Sequence, residues 1–238
     1  MRHGESEGNR ADQLPHDGVP AAFWDRHPSS WQLTDAGRRD AERAGRVICE
    51  RLGWTGGAKV VSPATRTLQT ALALGLGYDG WRVDPAVAER AWGHEQRGLT
   101  PRLRQDWLRT AAGHLARDPW GWSPPGGENL LAVQVRMWLA VRRHRSSTDG
   151  PVLVVSHGEA IAVLREALEG PSSHAAGGFA GMRLPSGGMV AYGLEGDRAK
   201  WVCRPNDNGG DEWSVCEPPG GEPDLRALAG LERVRDVS

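Results

Sequence analysis

Residues 152–158 read Val-Leu-Val-Val-Ser-His-Gly, a continuous apolar run that ends in a serine, a histidine and a glycine. Four consecutive apolar residues are typical of a strand that is covered on both faces, as in a parallel sheet. A helical pattern over residues 159–169 follows directly, and strand-to-helix units of this kind build α/β sheets. This stretch therefore predicts an α/β domain with a largely parallel sheet.

Strands and helices alternate along the rest of the chain. Short strands are predicted at residues 59–62, 189–194 and 200–203. The helical spacing of apolar residues predicts four more helices, at residues 34–52, 63–76, 100–115 and 128–145. This alternation indicates a three-layer α/β/α sandwich with a mostly parallel central sheet.

Two regions lack helical or strand periodicity. Residues 8–32 are rich in proline, histidine, aspartate and tryptophan and predict a long loop, and residues 84–98 are predicted to be irregular. A loop of that length inside a domain is usually functional. We expect residues 1–204 to form one domain, followed by a loose Gly/Pro-rich tail over 205–238 with a short helix near 225–234.

The composition argues against several classes of protein. The 238 residues carry a net charge of −1, so no overall positive field attracts nucleic acid or an acidic membrane. No apolar run approaches the ~18 residues of a membrane span, and the polar start of the chain is unlike a signal peptide. Three cysteines, Cys49, Cys203 and Cys216, lack the spacing of a zinc site or a disulfide framework. We therefore expect a cytoplasmic protein without a metal, nucleic acid or membrane partner.

Three segments at predicted strand ends carry histidine or arginine. They are Arg2-His3-Gly4, residues 62–66 (Ser-Pro-Ala-Thr-Arg) and Ser156-His157-Gly158. The carboxyl ends of parallel strands meet at one edge of a sheet, where ligands bind. Arginine pairs bidentately with phosphate oxygens and helix starts add backbone N–H donors, so these segments predict an anion pocket. A neutral histidine there can act as a nucleophile while the arginines neutralise the phosphoryl oxygens.

Several motifs follow one another in a specific order. The chain opens with Arg2-His3-Gly4-Glu5-Ser6 and continues with residues 33–37 (Leu-Thr-Asp-Ala-Gly), 62–67 (Ser-Pro-Ala-Thr-Arg-Thr), 89–93 (Glu-Arg-Ala-Trp-Gly), 125–128 (Pro-Gly-Gly-Glu) and 156–158 (Ser-His-Gly). In this combination, the sequence from Arg2 to Tyr192 resembles the histidine phosphatase superfamily, also called the phosphoglycerate mutase-like family. The opening motif with the later Ser-His-Gly is highly specific in this order.

The resemblance implies roles for individual residues. His3 would be the nucleophile that accepts the phosphoryl group as a phosphohistidine. Arg2, Arg66 and His157 would stabilise the transferring group. Five residues are expected to bind phosphate, namely Arg2, Asn9, Arg66, His157 and Gly158.

Glu89 matches the general acid of the family, which protonates the leaving oxygen and then helps to activate water. Glu95 is the alternative acid. The family needs no metal, and we expect no cofactor. Histidines outside the motifs are expected in loops or facing solvent, and these are His16, His27, His94, His114, His144 and His174.

The sequence departs from the family at its start. An apolar strand normally precedes the Arg-His-Gly motif and lies centrally in the sheet, whereas only Met1 precedes it here. That strand usually holds the nucleophile, so the departure puts the position and rigidity of His3 in question.

The pocket suits more than one reaction class. After Glu89, residues 94–98 (His-Glu-Gln-Arg-Gly) do not reproduce the paired-arginine segment of the mutases. We therefore expect a phosphomonoester hydrolase that acts through a phosphohistidine on a small phosphorylated metabolite of the nucleotide or phosphosugar type, with loops 8–32 and 119–127 as a tryptophan-rich lid. The alternatives are a phosphoglycerate mutase-type phosphotransferase and a non-catalytic binder of phosphorylated ligands. A homodimer is left open.

Overall fold

Three parallel strands form the central sheet. The computed structural model describes the chain in five segments, residues 1–14, 18–93, 101–169, 182–195 and 198–203. The strands are β1 (Ala58–Val61), β2 (Trp81–Val83) and β3 (Val152–Val155), and β1 lies between β2 and β3. In the register, Val60 is opposite Arg82 on one side and Val154 on the other.

Residues 1–3 extend this sheet beside β3. The main-chain nitrogen of Met1 donates to Val154 O (2.8 Å), and that of His3 donates to Ser156 O (3.0 Å). On the opposite side, Arg2 N donates to Gly188 O and Gly187 N to His3 O, both at 2.9 Å. Main-chain hydrogen bonds therefore hold the backbone at His3 between two neighbouring segments.

Seven α-helices and a hairpin surround the sheet in the described part of the chain. The helices are α1 (Glu7–Ala11), α2 (Ala21–Asp25), α3 (Asp35–Glu50), α4 (Thr65–Ala73), α5 (Pro101–Arg117), α6 (Leu130–Arg145) and α7 (Gly158–Glu169). Two further strands, β4 (Ala191–Glu195) and β5 (Arg198–Cys203), pair antiparallel. Short 3₁₀ turns cover Pro28–Ser30 and Pro85–Val87.

Side-chain caps fix the starts of two long helices. Thr34 Oγ1 accepts a hydrogen bond from Gly37 N at the start of α3, and Asn129 Oδ1 accepts one from Ala132 N at the start of α6. Each cap satisfies a first-turn N–H group that has no partner within the helix.

Alternate residues of the strands face two separate cores. Val61 and Val155 pack against α3 and α4, in a cluster that includes Met1 and Ile48. Val60 and its neighbours pack on the other face, against α6 and α7. Because successive side chains of a strand point to opposite faces, this alternation produces three layers. The predicted α/β/α sandwich with a mostly parallel sheet is confirmed.

The structure corrects several local predictions. Residues 8–32 are not one loop, since they contain α2, most of α1 and a 3₁₀ turn. Strand β2 was not predicted, because Trp-Arg-Val is a very short edge segment in which buried and exposed residues do not alternate. His144 is buried and bonds to Asp84 Oδ2 (2.7 Å) instead of facing solvent. The predicted tail over 205–238 lies outside the described residues.

Within the described segments, no helix has both the length and the apolar composition to cross a bilayer.

A close contact between two glycines joins the first two motifs. A Cβ atom on Gly4 would lie 2.2 Å from Gly37 O, and one on Gly37 would lie 2.1 Å from Glu5 O. Gly4 N also donates to Thr70 Oγ1 (3.1 Å) on α4. The start of α3 therefore packs directly against the backbone beside His3, and only glycine fits at either position.

We expect Gly37→Ala to lower the free energy of unfolding by about 2–3 kcal/mol, because backbone must move to admit the methyl group. Gly113→Ala is the matched control, since Gly113 lies in helix α5 with open space around it. The control should gain about 0.5–1 kcal/mol from helix propensity. Urea unfolding of both variants measures the difference, and an unaltered Gly37→Ala midpoint would contradict the close contact.

Candidate active site

His3 lies at the carboxyl edge of the sheet and is only 3% exposed. Its Nδ1 is 2.7 Å from Gly4 O, which can only accept, so Nδ1 carries the proton. Its Nε2 accepts a hydrogen bond from Arg66 Nε at 3.1 Å. The ring is therefore held as the neutral tautomer with the Nε2 lone pair turned into the site.

Arg66, in the first turn of α4, joins three parts of the site. Its Nε donates to His3, and its Nη2 donates to His157 Nδ1 at 3.0 Å. Its Nη1 donates to Pro28 O at 2.7 Å, on the segment that the sequence predicted to be part of a lid. One buried guanidinium thus lies between both histidines and contacts the 3₁₀ turn at Pro28–Ser30.

His157 follows β3 and is 1% exposed. Because Arg66 donates to its Nδ1, the neutral ring carries its proton on Nε2 and donates it to Ser62 Oγ at 2.6 Å. The rings of His3 and His157 meet edge to face, with centroids 5.3 Å apart. The ends of β1 and β3 therefore deliver the serine and the second histidine to the same point.

Both histidines are kept neutral by their surroundings. Burial lowers the pKa of His3 to about 3, and the positive charges of Arg66 and Arg2 act in the same direction. Burial and the same two arginines hold the pKa of His157 well below its usual value. A neutral imidazole keeps the free lone pair that a nucleophile requires.

Arg2 approaches the start of α7 from the N-terminal segment. Its Nη1 donates to Leu184 O at 2.7 Å, and its Nε is buried without a hydrogen-bond partner. A Cβ atom on Gly158 would lie 3.5 Å from this Nε, in ordinary contact. The guanidinium therefore lies against the first turn of α7, where helix N–H groups and the cation both favour an anion.

Glu89 reaches the same helix start from the opposite side. Its Oε1 accepts hydrogen bonds from Ala160 N (3.2 Å) and Arg90 N (3.1 Å). Burial lowers the pKa of Arg2 and of Arg66, and the negative charge of Glu89 is the largest influence in the opposite direction for both. The carboxyl group is therefore close to both arginines that the sequence predicts to bind phosphate.

Arg136, on α6, is a positioning residue that the sequence analysis missed. It donates to the main-chain oxygens of Ala86, Ala88 and Glu89 at 2.8–3.1 Å. Its charge is balanced by a double contact with Glu128, at 2.7 and 2.9 Å. Glu128 therefore anchors Arg136, which in turn fixes the backbone of the segment that carries Glu89. The only feature of the sequence that pointed to Arg136 was its partner Glu128, the glutamate of the 125–128 motif.

Two predicted residues are less directly tied to this centre. Asn9 lies on α1, and its Oδ1 accepts from Ser6 N (3.1 Å) and Ser6 Oγ (2.9 Å) in a capping box. Its phosphate contact remains a prediction. Glu95, the alternative acid, lies outside the described residues.

Aromatic residues of the two predicted lid segments pack against their own neighbours. Trp24 is 4% exposed and packs with Phe23 and Trp31, so it belongs to a local core and does not line an open pocket. Trp122 is half-buried, and its ring is stacked on His114 with centroids 5.2 Å apart. The part of the chain that the structure describes contains no cluster of three metal-ligating side chains.

The chain matches a known protein family. A family model of the histidine phosphatase superfamily (branch 1) matches residues 1–203. The chain belongs to this superfamily. The family predicted from the ordered motifs is therefore confirmed, and the histidine phosphatase domain reaches the end of the described residues.

Known relatives include both hydrolases and mutases. An acid phosphatase of Mycobacterium tuberculosis is 36% identical over 133 residues, which are 53% of this chain and 58% of that protein. A 2,3-bisphosphoglycerate-dependent phosphoglycerate mutase of Mesorhizobium japonicum is 28% identical over 83% of this chain and 91% of its own length. The solved structure of a mycobacterial glucosyl-3-phosphoglycerate phosphatase is 27% identical with a TM-score of 0.52, over 71% of this chain and 76% of that one.

The neutral His3 predicts a loss of stability in acid. Its folded-state pKa of about 3 lies below the usual 6.5, so its contribution to stability is complete above pH 6.5 and declines as the pH falls toward 3. Because of this protonation, the free energy of unfolding should be about 2 kcal/mol lower at pH 5 than at pH 7. In His3→Gln this part of the acid loss should vanish, whereas His114→Gln, at an exposed position, should behave as wild type. Denaturant unfolding at both pH values measures it, and equal acid losses in all three proteins would refute the buried neutral ring.

Proposed function

We propose that this protein is a phosphomonoester hydrolase that acts through a phosphohistidine at His3. The observation that carries the proposal is the Arg66 guanidinium, which contacts both His3 and His157 while both rings are neutral. A nucleophile with a free lone pair beside buried cations suits attack on a phosphoryl group. The phosphatases among the relatives support the same reaction class.

In the first step, His3 Nε2 forms a bond to phosphorus and the bond from phosphorus to the ester oxygen breaks. The hydrogen bond from Arg66 to Nε2 is exchanged for one to a phosphate oxygen, which is the stronger acceptor because it is charged. Glu89 gives its proton to the leaving oxygen, which departs as an alcohol. Gly4 O, which accepts the Nδ1 proton, stabilises the positive charge that the phosphorylated ring acquires.

In the second step, water attacks phosphorus and the bond between phosphorus and Nε2 breaks. Glu89, now ionised, takes one proton from this water, so inorganic phosphate leaves and the starting protonation state returns. Arg2 is placed to hold phosphate oxygens throughout, since its buried Nε faces the start of α7 without another partner. No metal or cofactor is required for either step.

The substrate that fits the site best is a small phosphorylated metabolite of the phosphosugar or nucleotide type. Trp92 and Trp122 flank the Arg90 guanidinium, which is 4.4 Å and 5.7 Å from their ring centroids. Arg90 and Trp92 follow Glu89 closely along the chain, so this aromatic group lies near the predicted general acid. Sugars and bases both pack well on indole rings.

The phosphohistidine is tested directly with a labelled phosphomonoester. Wild-type protein should release phosphate and should trap label on His3 in an acid-labile, base-stable form after rapid quenching. His3→Ala should lose both, and Glu89→Gln should slow release by about 10²–10⁴-fold. Glu50→Gln, at an exposed position on α3, is the control and should retain full activity.

A phosphoglycerate mutase-type transferase is the second candidate, because the mutase relative matches most of the chain. Transfer of label from 2,3-bisphosphoglycerate to a monophosphoglycerate, faster than release of phosphate, would favour the mutase. Binding of an ester with neither labelling of His3 nor release of phosphate would favour a non-catalytic binder.

Trp122→Ala should change the ranking of sugar phosphates, nucleoside monophosphates and p-nitrophenyl phosphate, mainly through KM. Trp24→Ala should instead lower stability by about 3–5 kcal/mol without a matching change in that ranking, because Trp24 lies in a local core. Kinetics on the ester panel and thermal unfolding separate the two effects. An unaltered ranking in Trp122→Ala would remove the aromatic contact from the proposal.

A further inference from the structure

A second buried carboxyl group lies beside the site. Glu159 follows Gly158 in the first turn of α7, and its side chain is 10% exposed. Its Oε1 accepts a hydrogen bond from Arg183 Nη2, whereas its Oε2 is buried without a hydrogen-bond partner. An unpartnered carboxylate oxygen is costly to bury, so a function is expected for it.

The backbone beside Glu159 contacts Glu89, the general acid of the proposed reaction. Glu89 Oε1 accepts from Ala160 N at 3.2 Å, and this N–H belongs to the peptide that directly follows Glu159. Burial raises the pKa of Glu159, and the nearby negative charge of Glu89 acts in the same direction. Two carboxyls therefore share one helix start, where a single proton between them relieves their repulsion.

We propose that Glu159 is a positioning residue that pairs with Glu89 and retains on this pair the proton used by the leaving group, with Arg183 as the counter-ion that sets how firmly it is retained. The proposal rests on the hydrolase function above. An anionic neighbour favours the protonated form of a carboxyl group. The pair would thus keep an acid available at a pH where an isolated glutamate is ionised.

Several charged groups oppose or assist this effect. Arg2 and Arg66 face Glu89 from the N-terminal segment and from α4, and the charge of Glu89 acts to raise the pKa of both guanidiniums against the larger effect of burial. Arg90 and Arg183 face Glu159 from the segment after β2 and from the segment before β4. His157 precedes the same helix start and is neutral. Since four cations surround two carboxyls, removal of either charge of the Glu159–Arg183 pair should shift the titration of the carboxyl pair measurably.

The two partners should act in opposite directions on the pH dependence of hydrolysis. In Glu159→Gln the repulsion is absent, so the proton leaves earlier and the basic limb of kcat/KM should move to lower pH by about 0.5–1 unit. In Arg183→Gln the counter-ion is absent, so the same limb should move to higher pH. Glu50→Gln is the matched control for removal of a carboxylate and should leave the limb in place.

Measurement of kcat and KM for p-nitrophenyl phosphate from pH 4.5 to 9 tests the proposal. Opposite shifts in the two variants support it, and a limb shift restored by Glu159→Asp would add to that support. Lower kcat with an unmoved limb in both variants overturns it and leaves the hydrolase function intact, because such a result indicates a structural role only. If Glu159→Gln fails to fold, Arg183→Gln decides, since Arg183 is half-exposed. A wild type that hydrolyses no ester overturns the hydrolase function and the carboxyl pair together.

Discussion

The buried guanidinium of Arg66 is the interaction on which the site depends. Removal of this cation from water is costly, and in the described residues its hydrogen bonds go to two histidines and one main-chain oxygen, none of which is negative. Burial, together with this same charge, keeps both rings neutral. The pocket therefore holds positive charge that its immediate ligands do not balance, and a bound dianion would compensate it.

Such a pocket needs a rigid frame, because a cation and two neutral rings attract one another only weakly. The sheet supplies that frame by holding residues 1–3 on both sides with main-chain hydrogen bonds. The contact of Gly4 with Gly37 then fixes α3 against the same backbone. Arg136 does the equivalent for the segment of Glu89 through three main-chain oxygens. Each reactive side chain thus stands on backbone that is bonded at neighbouring positions, as preorganised catalysis requires.

The sequence predicted the layers and the convergence of Arg2, His3, Arg66 and His157, because their three segments lie at predicted strand ends, which share one edge of a sheet. Other features had no comparable local pattern. Arg136 is one of several arginines on α6, and its role comes from carbonyl groups about 50 residues earlier in the chain. Strand β2 is only three residues long and exposed on one side. Glu159 looked like an ordinary first-turn acid, and only its burial distinguishes it.

Whether such a site hydrolyses its phosphohistidine or transfers the phosphoryl group to an acceptor depends less on these residues than on the access of water. A phosphohistidine reacts with water if water reaches it and with an acceptor if the site is closed. The contact between Arg66 and Pro28 O is relevant here, because the covering segment is bonded to the same guanidinium that must shift onto the phosphate. When Arg66 moves, the Pro28–Ser30 segment either keeps this hydrogen bond and moves with the guanidinium or loses the bond. One hydrogen bond therefore links the Pro28–Ser30 segment to the guanidinium that the proposed reaction moves onto the phosphate.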